Sequence, residues 1–302
     1  MQETNTKYGL SLGFIAYILW GFLPIYWKLL ETFRADVVLT HRIIWSFIFM
    51  ILFIVFTNKS DLFIAECKNL FKEKKKIFYI AFASVLISAN WLIFIWAVQN
   101  DYVVQASLGY YINPLINILL GVIFLQEKLS NAQKLSFVLA AIGVTFLTLS
   151  YGVFPWVSLS LAFSFGFYGL FKKLVQIDSA FSLIIETFFV TPIALGYLFI
   201  MFGTGIGITS AHSPIDISLL LFSGVATAVP LLLFGYAVLH LPLSLAGILQ
   251  YIAPTIMLII GVFLYKEPFT FAHFITFLCI WIALILFVGS SFKKRQKEQL
   301  TD

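Results

Sequence analysis

The chain has 302 residues, of which 61% are hydrophobic and 11% charged, and its mean hydropathy is +0.99. Soluble domains are about half apolar and about a quarter charged, so this composition indicates a membrane protein. The net charge of +5 comes from basic residues between apolar segments, which excludes a folded basic domain for nucleic acid. Cys67 and Cys279 form no spaced motif, so no metal, cofactor or disulfide framework is expected.

Ten apolar segments follow one another, each near the length of about 20 residues that a helix needs to cross a bilayer. They cover residues 8–29, 36–57, 77–98, 103–125, 132–151, 154–171, 181–202, 217–239, 243–265 and 270–291. The first is too long for a signal-peptide core and no small-residue cleavage site follows it, so we expect it to stay as a helix. The longest connections are the basic stretch 58–76 and the Gly-rich stretch 203–216, neither long enough for a soluble domain.

Lys and Arg residues gather on one side of the predicted spans. Fifteen of the 19 lie on the side that holds the N-terminus, and four lie on the other side: Lys28, Arg34, Arg42 and Lys266. By the positive-inside rule we expect a multi-pass protein of the plasma membrane with both termini in the cytoplasm.

One stretch of the chain is written twice. Residues 106–127, ASLGYYINPLINILLGVIFLQE, align with residues 246–267, AGILQYIAPTIMLIIGVFLYKE, at a constant offset of 140, and eight of the 22 pairs are identical. The identical pairs include the scarcer residue types: Tyr111/Tyr251, Pro114/Pro254, Gly121/Gly261 and Glu127/Glu267. We therefore predict a tandem duplication, with one five-helix repeat at 1–151 and a second at 152–302.

An odd number of crossings in each repeat has a consequence for topology. The second copy starts on the opposite side of the membrane, so the two halves are inverted. The predicted fold is an all-α polytopic membrane protein with ten transmembrane helices in two inverted five-helix repeats. Inverted copies can exchange conformations, which closes one side of a midplane site while it opens the other. This arrangement favours secondary transport, and the chain has no Walker motif for ATP hydrolysis.

The repeated block also carries a family resemblance. ASLGYYINPL and GVIFLQEKLS in the first half, with GILQYIAPT and GVFLYKEPF in the second, resemble the EamA group of the drug/metabolite transporter superfamily. SANWLIFIWAV (88–98), TAVPLLLFGYAV (227–238) and LTHRIIW (39–45) are similar to its RarD branch. The resemblance implies a ten-helix bundle that moves a small organic molecule across the plasma membrane, and it leaves the cargo open.

Polar and aromatic residues at mid-depth are the candidates for substrate binding. Tyr110, Asn117 and Gly121 share a helix face with Pro114, and Asn113 lies alongside. The full candidate set is Asn90, Trp91, Tyr110, Tyr111, Asn113, Asn117, Gln250 and Tyr251. An apolar, aromatic lining with a few amides suits a neutral or zwitterionic amphiphile better than a phosphate. Alternatively, the asparagines join neighbouring helices without contacting cargo.

Prolines and tryptophans interrupt or flank the same spans. Proline frees a backbone carbonyl, and the candidate helix-breaking residues are Pro24, Pro114, Pro230 and Pro254. Kinks for packing are the alternative. Trp27 and Trp156 lie near predicted helix ends and are expected to be interfacial anchors, whereas Trp91 and Trp96 are candidates for a cavity wall.

Charges within the spans are candidates for gating or coupling: His41, Arg42, Lys173 and Glu186. Inversion places Arg42 near the outer face and Glu186 near the cytoplasmic face, so we expect no direct pair. Glu186 is expected to meet Lys172 or Lys173, and Arg42 to meet Asp36 or Glu31. These pairs either neutralise charge at the membrane rim or act as gates, with His41 or Glu186 as a proton-coupling group. Glu127 and Glu267 are expected to make helix-end and headgroup contacts, and their repetition leaves a matching gate role as the alternative.

Two other classes of function were weighed. An enzyme is not expected, because the chain has no HExxH, GxSxG or clustered His/Cys motif. A membrane accessory or sensor protein would need an output surface, for which 58–76 is the candidate, although its basic run suits anionic lipid. The expected partners are a small-molecule substrate, the bilayer and a proton as candidate coupling ion. Cargo, direction, coupling ion and the choice between monomer and homodimer stay open.

Overall fold

The computed structural model describes residues 2–125, 131–151, 154–175, 177–204, 213–240 and 249–299, and each regular element within these ranges is helical. The helices are α1 (Gln2–Lys28), α2 (Ala35–Phe56), α3 (Ser60–Lys72), α4 (Lys74–Gln99), α5 (Val103–Leu125), α6 (Asn131–Tyr151), α7 (Trp156–Val175), α8 (Ser179–Thr204), α9 (Pro214–His240), α10 (Ile252–Ile259) with a π-helical continuation (Ile260–Leu264), and α11 (Phe271–Gln299).

Several of these helices have the length and composition to cross a membrane. Five do so in the part of the chain that the structure describes: Tyr8–Lys28, Ala35–Phe56, Lys74–Gln99, Ala180–Met201 and Pro214–Phe234. Large apolar side chains on the outside of the bundle, such as Phe199 at 82% exposure and Ile285 at 71%, suit contact with lipid. The chain is a polytopic membrane protein, and the count of ten crossings stays a prediction.

Helix α3 lies in the basic stretch 58–76, which was expected to be a connection. Its 13 residues are too few to cross a bilayer. Leu70 is buried against Ile80, Val175 and Ile185, whereas Leu62 and Phe71 are exposed. A helix with apolar residues on its exposed side and lysines at its end is typical of one that lies at the membrane surface.

The helices pack in pairs that cross the middle of the chain. Helix α6 packs against α11, α5 against α7, α1 against α9 and α10, α4 against α7, and α2 against α8 and α9. At the crossing of α2 and α9, the Ser46 hydroxyl donates to the Gly224 carbonyl at 3.3 Å. A Cβ at Gly224 would lie 2.3 Å from the Trp45 carbonyl carbon, so only glycine permits this approach of α9 to α2.

The predicted ninth span begins beyond the described residues, because positions 241–248 lie outside them. Gln250 and Tyr251 form a turn, and α10 begins at Ile252. Pro254 therefore lies in the first turn of α10, where a missing N–H costs nothing. Its carbonyl accepts a hydrogen bond from the Ser107 hydroxyl of α5 at 2.7 Å.

Candidate functional site

Arg42 is the eighth residue of α2 and lies inside the bundle with 4% of its surface exposed. Its guanidinium is held between two indole rings: Cζ lies 4.7 Å from the ring centroid of Trp27 on α1 and 4.2 Å from that of Trp91 on α4. These are cation–π distances. Trp27 is completely buried. Its predicted role as an interfacial anchor is therefore wrong, because the ring contacts a buried cation and not the headgroups.

The Arg42 guanidinium has donors that no described residue satisfies. Nε and Nη1 are both buried without a hydrogen-bond partner in the described part of the chain, and so is Nε1 of Trp27. The Tyr26 ring packs edge-on against Trp27, with ring centroids 4.9 Å apart. Donors that face no acceptor are costly inside a protein, at about 1–3 kcal/mol each.

The predicted pairing of Arg42 with Asp36 or Glu31 is wrong. The Asp36 carboxylate accepts from Arg34 Nη2 at 2.6 Å and from the Tyr197 hydroxyl at 2.6 Å. Glu31 pairs with Lys28 at 3.2 Å. Residues six positions apart on a helix point about 120° apart, so Asp36 and Arg42 face different neighbours.

Asn90 precedes Trp91 on α4 and contacts Tyr110 of α5. Asn90 is 1% exposed, and its Nδ2 donates to the Leu161 carbonyl at 3.0 Å and to the Ser164 hydroxyl at 2.9 Å, both on α7. The Tyr110 hydroxyl approaches Asn90 Oδ1 at 3.4 Å, which is a long hydrogen bond. Asn90 thus faces inward as predicted and connects α4 to α5 and α7. Together, Arg42, Trp27, Trp91, Asn90 and Tyr110 form what we call the arginine cluster.

Tyr111 belongs to a different group, because successive residues on a helix point about 100° apart. Its ring stacks on Tyr251 with centroids 6.2 Å apart, and its hydroxyl lies 2.5 Å from Thr255 Oγ1. Phe277 and Trp281 of α11 meet the same ring edge-on. The structure therefore separates Tyr111 and Tyr251 from the arginine cluster and puts these two repeat-equivalent residues in mutual contact.

The remaining candidates lie as follows. Asn113 is buried, and its Oδ1 has no hydrogen-bond partner within the described residues. Gln250 is half-buried, and His41 is buried on α2. Pro24 and Pro230 lie inside α1 and α9. The side chains of Pro114, Asn117 and Lys173 lie outside those that the structure describes.

Glu186 is the eighth residue of α8 and is 1% exposed. Its carboxylate accepts three hydrogen bonds: from Lys172 Nζ at 2.9 Å, from the Ser182 hydroxyl at 2.6 Å and from the Tyr168 hydroxyl at 3.0 Å. The predicted pair with Lys172 is confirmed. We call Glu186, Lys172, Ser182 and Tyr168 the glutamate cluster. Among the residues that the structure describes, the hydrogen-bond partners of the Glu186 carboxylate lie on α7 and α8.

Further polar contacts tie helices together near the ends of α1, α5 and α9. Glu267 accepts from the backbone N–H groups of Val103 at 2.6 Å and Val104 at 2.8 Å, so it caps the N-terminus of α5. It is 7% exposed, so the predicted headgroup contact is wrong, although it does contact a helix end. The Tyr265 hydroxyl donates to the Pro24 carbonyl at 3.2 Å, and the Tyr26 hydroxyl donates to the Leu219 carbonyl.

The sequence did not predict that Glu267 caps α5, or that the Tyr26 and Tyr265 hydroxyls donate to backbone carbonyls. One signal was available for Glu267, because it is identical to Glu127 in the repeated block. Glu127 itself lies outside the described residues.

A cleft of about 430 Å³ is also present at the start of α9, lined by Pro214, Ile215, Ser218, Leu219 and Phe222. None of the candidate substrate residues lines it.

Comparison with known proteins adds an independent observation. A model of the EamA-like transporter family matches residues 7–149 and 155–289. The chain is 48% identical over 293 residues to the uncharacterized transporter YojE of Bacillus subtilis, covering 97% of each protein. It is 41% identical over 301 residues to protein RarD of Salmonella typhimurium, covering 99% of this chain and 100% of the relative.

Two further comparisons agree in extent. Protein RarD of Escherichia coli K12 is 41% identical over 289 residues, with 95% of this chain and 96% of the relative covered. A solved crystal structure superposes with a TM-score of 0.59 at 12% identity, over 92% of this chain and 96% of the other. At that identity the second likeness concerns the fold alone.

Proposed function

Because the chain belongs to the EamA-like transporter family, in its RarD branch, we propose that it is a secondary transporter that moves a small organic molecule across the plasma membrane. In this proposal the molecule binds at mid-depth between two inverted repeats, and alternating access carries it across. The repeats are those predicted at 1–151 and 152–302, and both termini lie in the cytoplasm.

The observation that carries this proposal is the symmetry of helix packing. If the halves are duplicates, α1, α2, α4, α5 and α6 correspond to α7, α8, α9, α10 and α11. Exchanging the halves then turns the α1–α9 contact into α7–α4, and the α5–α7 contact into α10–α1; all four are present. The α6–α11 contact is its own equivalent. Two family-model matches, one in each half, support the same duplication.

We further propose that the outer gate is closed in this conformation. Tyr265 with Pro24, Glu267 with the N-terminus of α5, Tyr26 with Leu219, and Tyr197 with Asp36 are contacts that each join the two predicted halves. All of them lie near helix ends that the charge distribution assigns to the outside. Opening this side would require these hydrogen bonds to break together, which suits a gate.

We propose that the glutamate cluster acts at the cytoplasmic side of the membrane. His41, on α2, is proposed to act within the bundle. Glu186 holds α7 to α8 through Lys172, Ser182 and Tyr168. A buried carboxylate of this kind and a buried imidazole are the two candidate proton-coupling groups. Lys173 remains a proposed gating residue beside Lys172.

Transport by the purified protein in liposomes tests this function. The panel contains radiolabelled neutral and aromatic amino acids, amphenicols, small cations and organic acids, each measured with and without an imposed pH gradient. Saturable movement of one class supports a carrier, and its response to the gradient tests proton coupling. If folded, inserted protein moves no member of the panel, the proposal fails in favour of the accessory or sensor function, with α3 as the candidate output surface.

A further inference from the structure

We propose that the guanidinium of Arg42 binds a carboxylate of the transported molecule, so that the cargo is a small organic acid with an apolar or aromatic body. This inference rests on the proposed transport function and deepens it by giving the chemical class of the cargo.

The buried charge of Arg42 is not balanced by the described residues. Arg42 is 4% exposed, and neither Nε nor Nη1 has a hydrogen-bond partner within the described residues. Stacking on Trp27 and Trp91 attracts the cation, but such contacts do not supply the acceptors that buried N–H groups require. A carboxylate would supply acceptors to the donors on one edge of the guanidinium, and charge-assisted hydrogen bonds are among the strongest available in a dry site.

The unpartnered groups near Arg42 indicate which hydrogen-bonding groups a ligand must bring. Nε lies on one hydrogen-bonding edge of the guanidinium and Nη1 on the other, so both edges retain a free donor. The Trp27 indole adds a third unpartnered N–H to the same place. These groups are all donors, so the ligand must contribute acceptors. The neighbouring acids cannot do so, because Asp36 and Glu31 are paired with Arg34 and Lys28.

The aromatic side chains around Arg42 indicate the chemical character of the rest of the ligand. The guanidinium lies between the indoles of Trp27 and Trp91, and the Tyr26 ring packs edge-on against Trp27. Arg42 is the one cation among the described residues of this cluster, which matches the single charge of a carboxylate better than the double charge of a phosphate monoester. Aromatic walls favour an apolar or aromatic group next to the acid.

The test is equilibrium binding to the purified full chain in lipid nanodiscs. The probes are matched pairs of acid and neutral amide: phenylacetate with phenylacetamide, indole-3-acetate with indole-3-acetamide, and octanoate with octanamide. We expect at least one acid to bind about 10- to 100-fold more tightly than its amide, which is the effect of hydrogen bonds to a charged group. Arg42→Gln should remove this preference. Lys74→Gln removes an exposed cation at the start of α4 and should retain it.

Each result either supports or overturns the carboxylate assignment or the proposed transport. Loss of the acid preference in Arg42→Gln alone, with thermal unfolding no lower than in the wild type, supports the inference. Equal binding of acid and amide across all three pairs, or a preference that survives in Arg42→Gln, overturns it and leaves Arg42 a structural cation. Binding needs no turnover, so an acid preference without uptake would refute only the proposed transport. Saturable uptake of neutral cargo alone would refute only the carboxylate assignment.

Discussion

Arg42 and Glu186 occupy the same place in their helices, yet the protein treats the two charges differently. Each is the eighth residue of its helix, and each is almost fully buried. Glu186 receives three hydrogen bonds, one of them from a lysine. Arg42 receives two aromatic rings and has unpartnered donors. The difference teaches that this fold can neutralise a charge at that depth, so the unpartnered state of Arg42 is a feature of its particular site.

Charge reversal at the arginine cluster is expected to have the largest effect of all, and that effect is on transport. Arg42→Glu would place a carboxylate between Trp27 and Trp91, where it would repel an acidic cargo. We expect carboxylate uptake to fall to the background of empty liposomes while the protein still inserts. Lys74→Glu, an equal charge change at an exposed position, serves as the control and should keep uptake. Normal uptake in Arg42→Glu would refute the cargo-binding role.

The next effect is on the stability of the glutamate cluster. Lys172→Met leaves the buried Glu186 carboxylate without its cation, and removing one partner of a buried pair typically costs 3–5 kcal/mol. Lys172 is partly exposed, so we expect about 2–3 kcal/mol, below that range. The measurement is thermal unfolding in detergent. Glu186→Gln in the Lys172→Met background should restore part of the loss, because the uncompensated charge is then gone.

The opposite sign is expected at the arginine cluster. Arg42→Met removes a buried charge that lacks hydrogen-bond partners and keeps an unbranched side chain that packs well on indole rings. Thermal unfolding of the ligand-free protein should therefore show a gain of about 1–2 kcal/mol. A clear loss of stability would mean that the cation–π contacts outweigh the unpartnered donors, and the contrast between the two clusters would fail.

A smaller effect concerns single hydroxyl groups. Tyr168→Phe removes one of the three hydrogen bonds to Glu186, at a cost of about 1–2 kcal/mol for a bond to a charged group. Tyr110→Phe removes the long contact to Asn90 and should change stability by less than about 0.5 kcal/mol. Equal losses in the two variants would show that the distances do not rank these contacts.

The smallest effect is on the reactivity of Cys67. It lies on α3 and packs against the group formed by Leu70, Ile80, Val175 and Ile185, and Ile185 precedes Glu186 of the glutamate cluster. Burial together with Glu66 raises the pKa of the Cys67 thiol. The thiolate is the reactive form, so alkylation at neutral pH should be slow and rise with pH. Glu186→Gln should speed this alkylation severalfold if loosening of the cluster reaches Ile185, with Cys279→Ala in both proteins to isolate the signal.

Much of the fold could be predicted from the sequence, because hydropathy and the repeat at offset 140 are properties of the chain itself. The helix of residues 60–72 was missed because its 13 residues are too few for a transmembrane span of about 20 residues, so the stretch was interpreted as a connection. The pair of Glu186 with Lys172 was predicted because topology brings adjacent helix ends together. The partners of Arg42 were predicted wrongly, since proximity in sequence to Asp36 does not give the direction in which a helical side chain points.

The cap that Glu267 provides for α5 shows the same limit. Its repetition with Glu127 marked it as significant, but its partners are backbone groups at 103–104, more than 160 positions away. Backbone donors have no residue signature, so no pattern in the sequence could name them. Likewise, Tyr110 and Tyr111 were predicted as one site, and only the direction of each side chain separates them.

Uptake of a labelled organic acid that binds in the nanodisc assay is the most direct test of the account. Liposomes would contain the wild type, Arg42→Gln or Lys74→Gln at equal protein density, and initial rates would be measured over a range of concentrations. We expect saturable uptake by the wild type and by Lys74→Gln, and none above background by Arg42→Gln. Equal saturable uptake by Arg42→Gln and the wild type would contradict it.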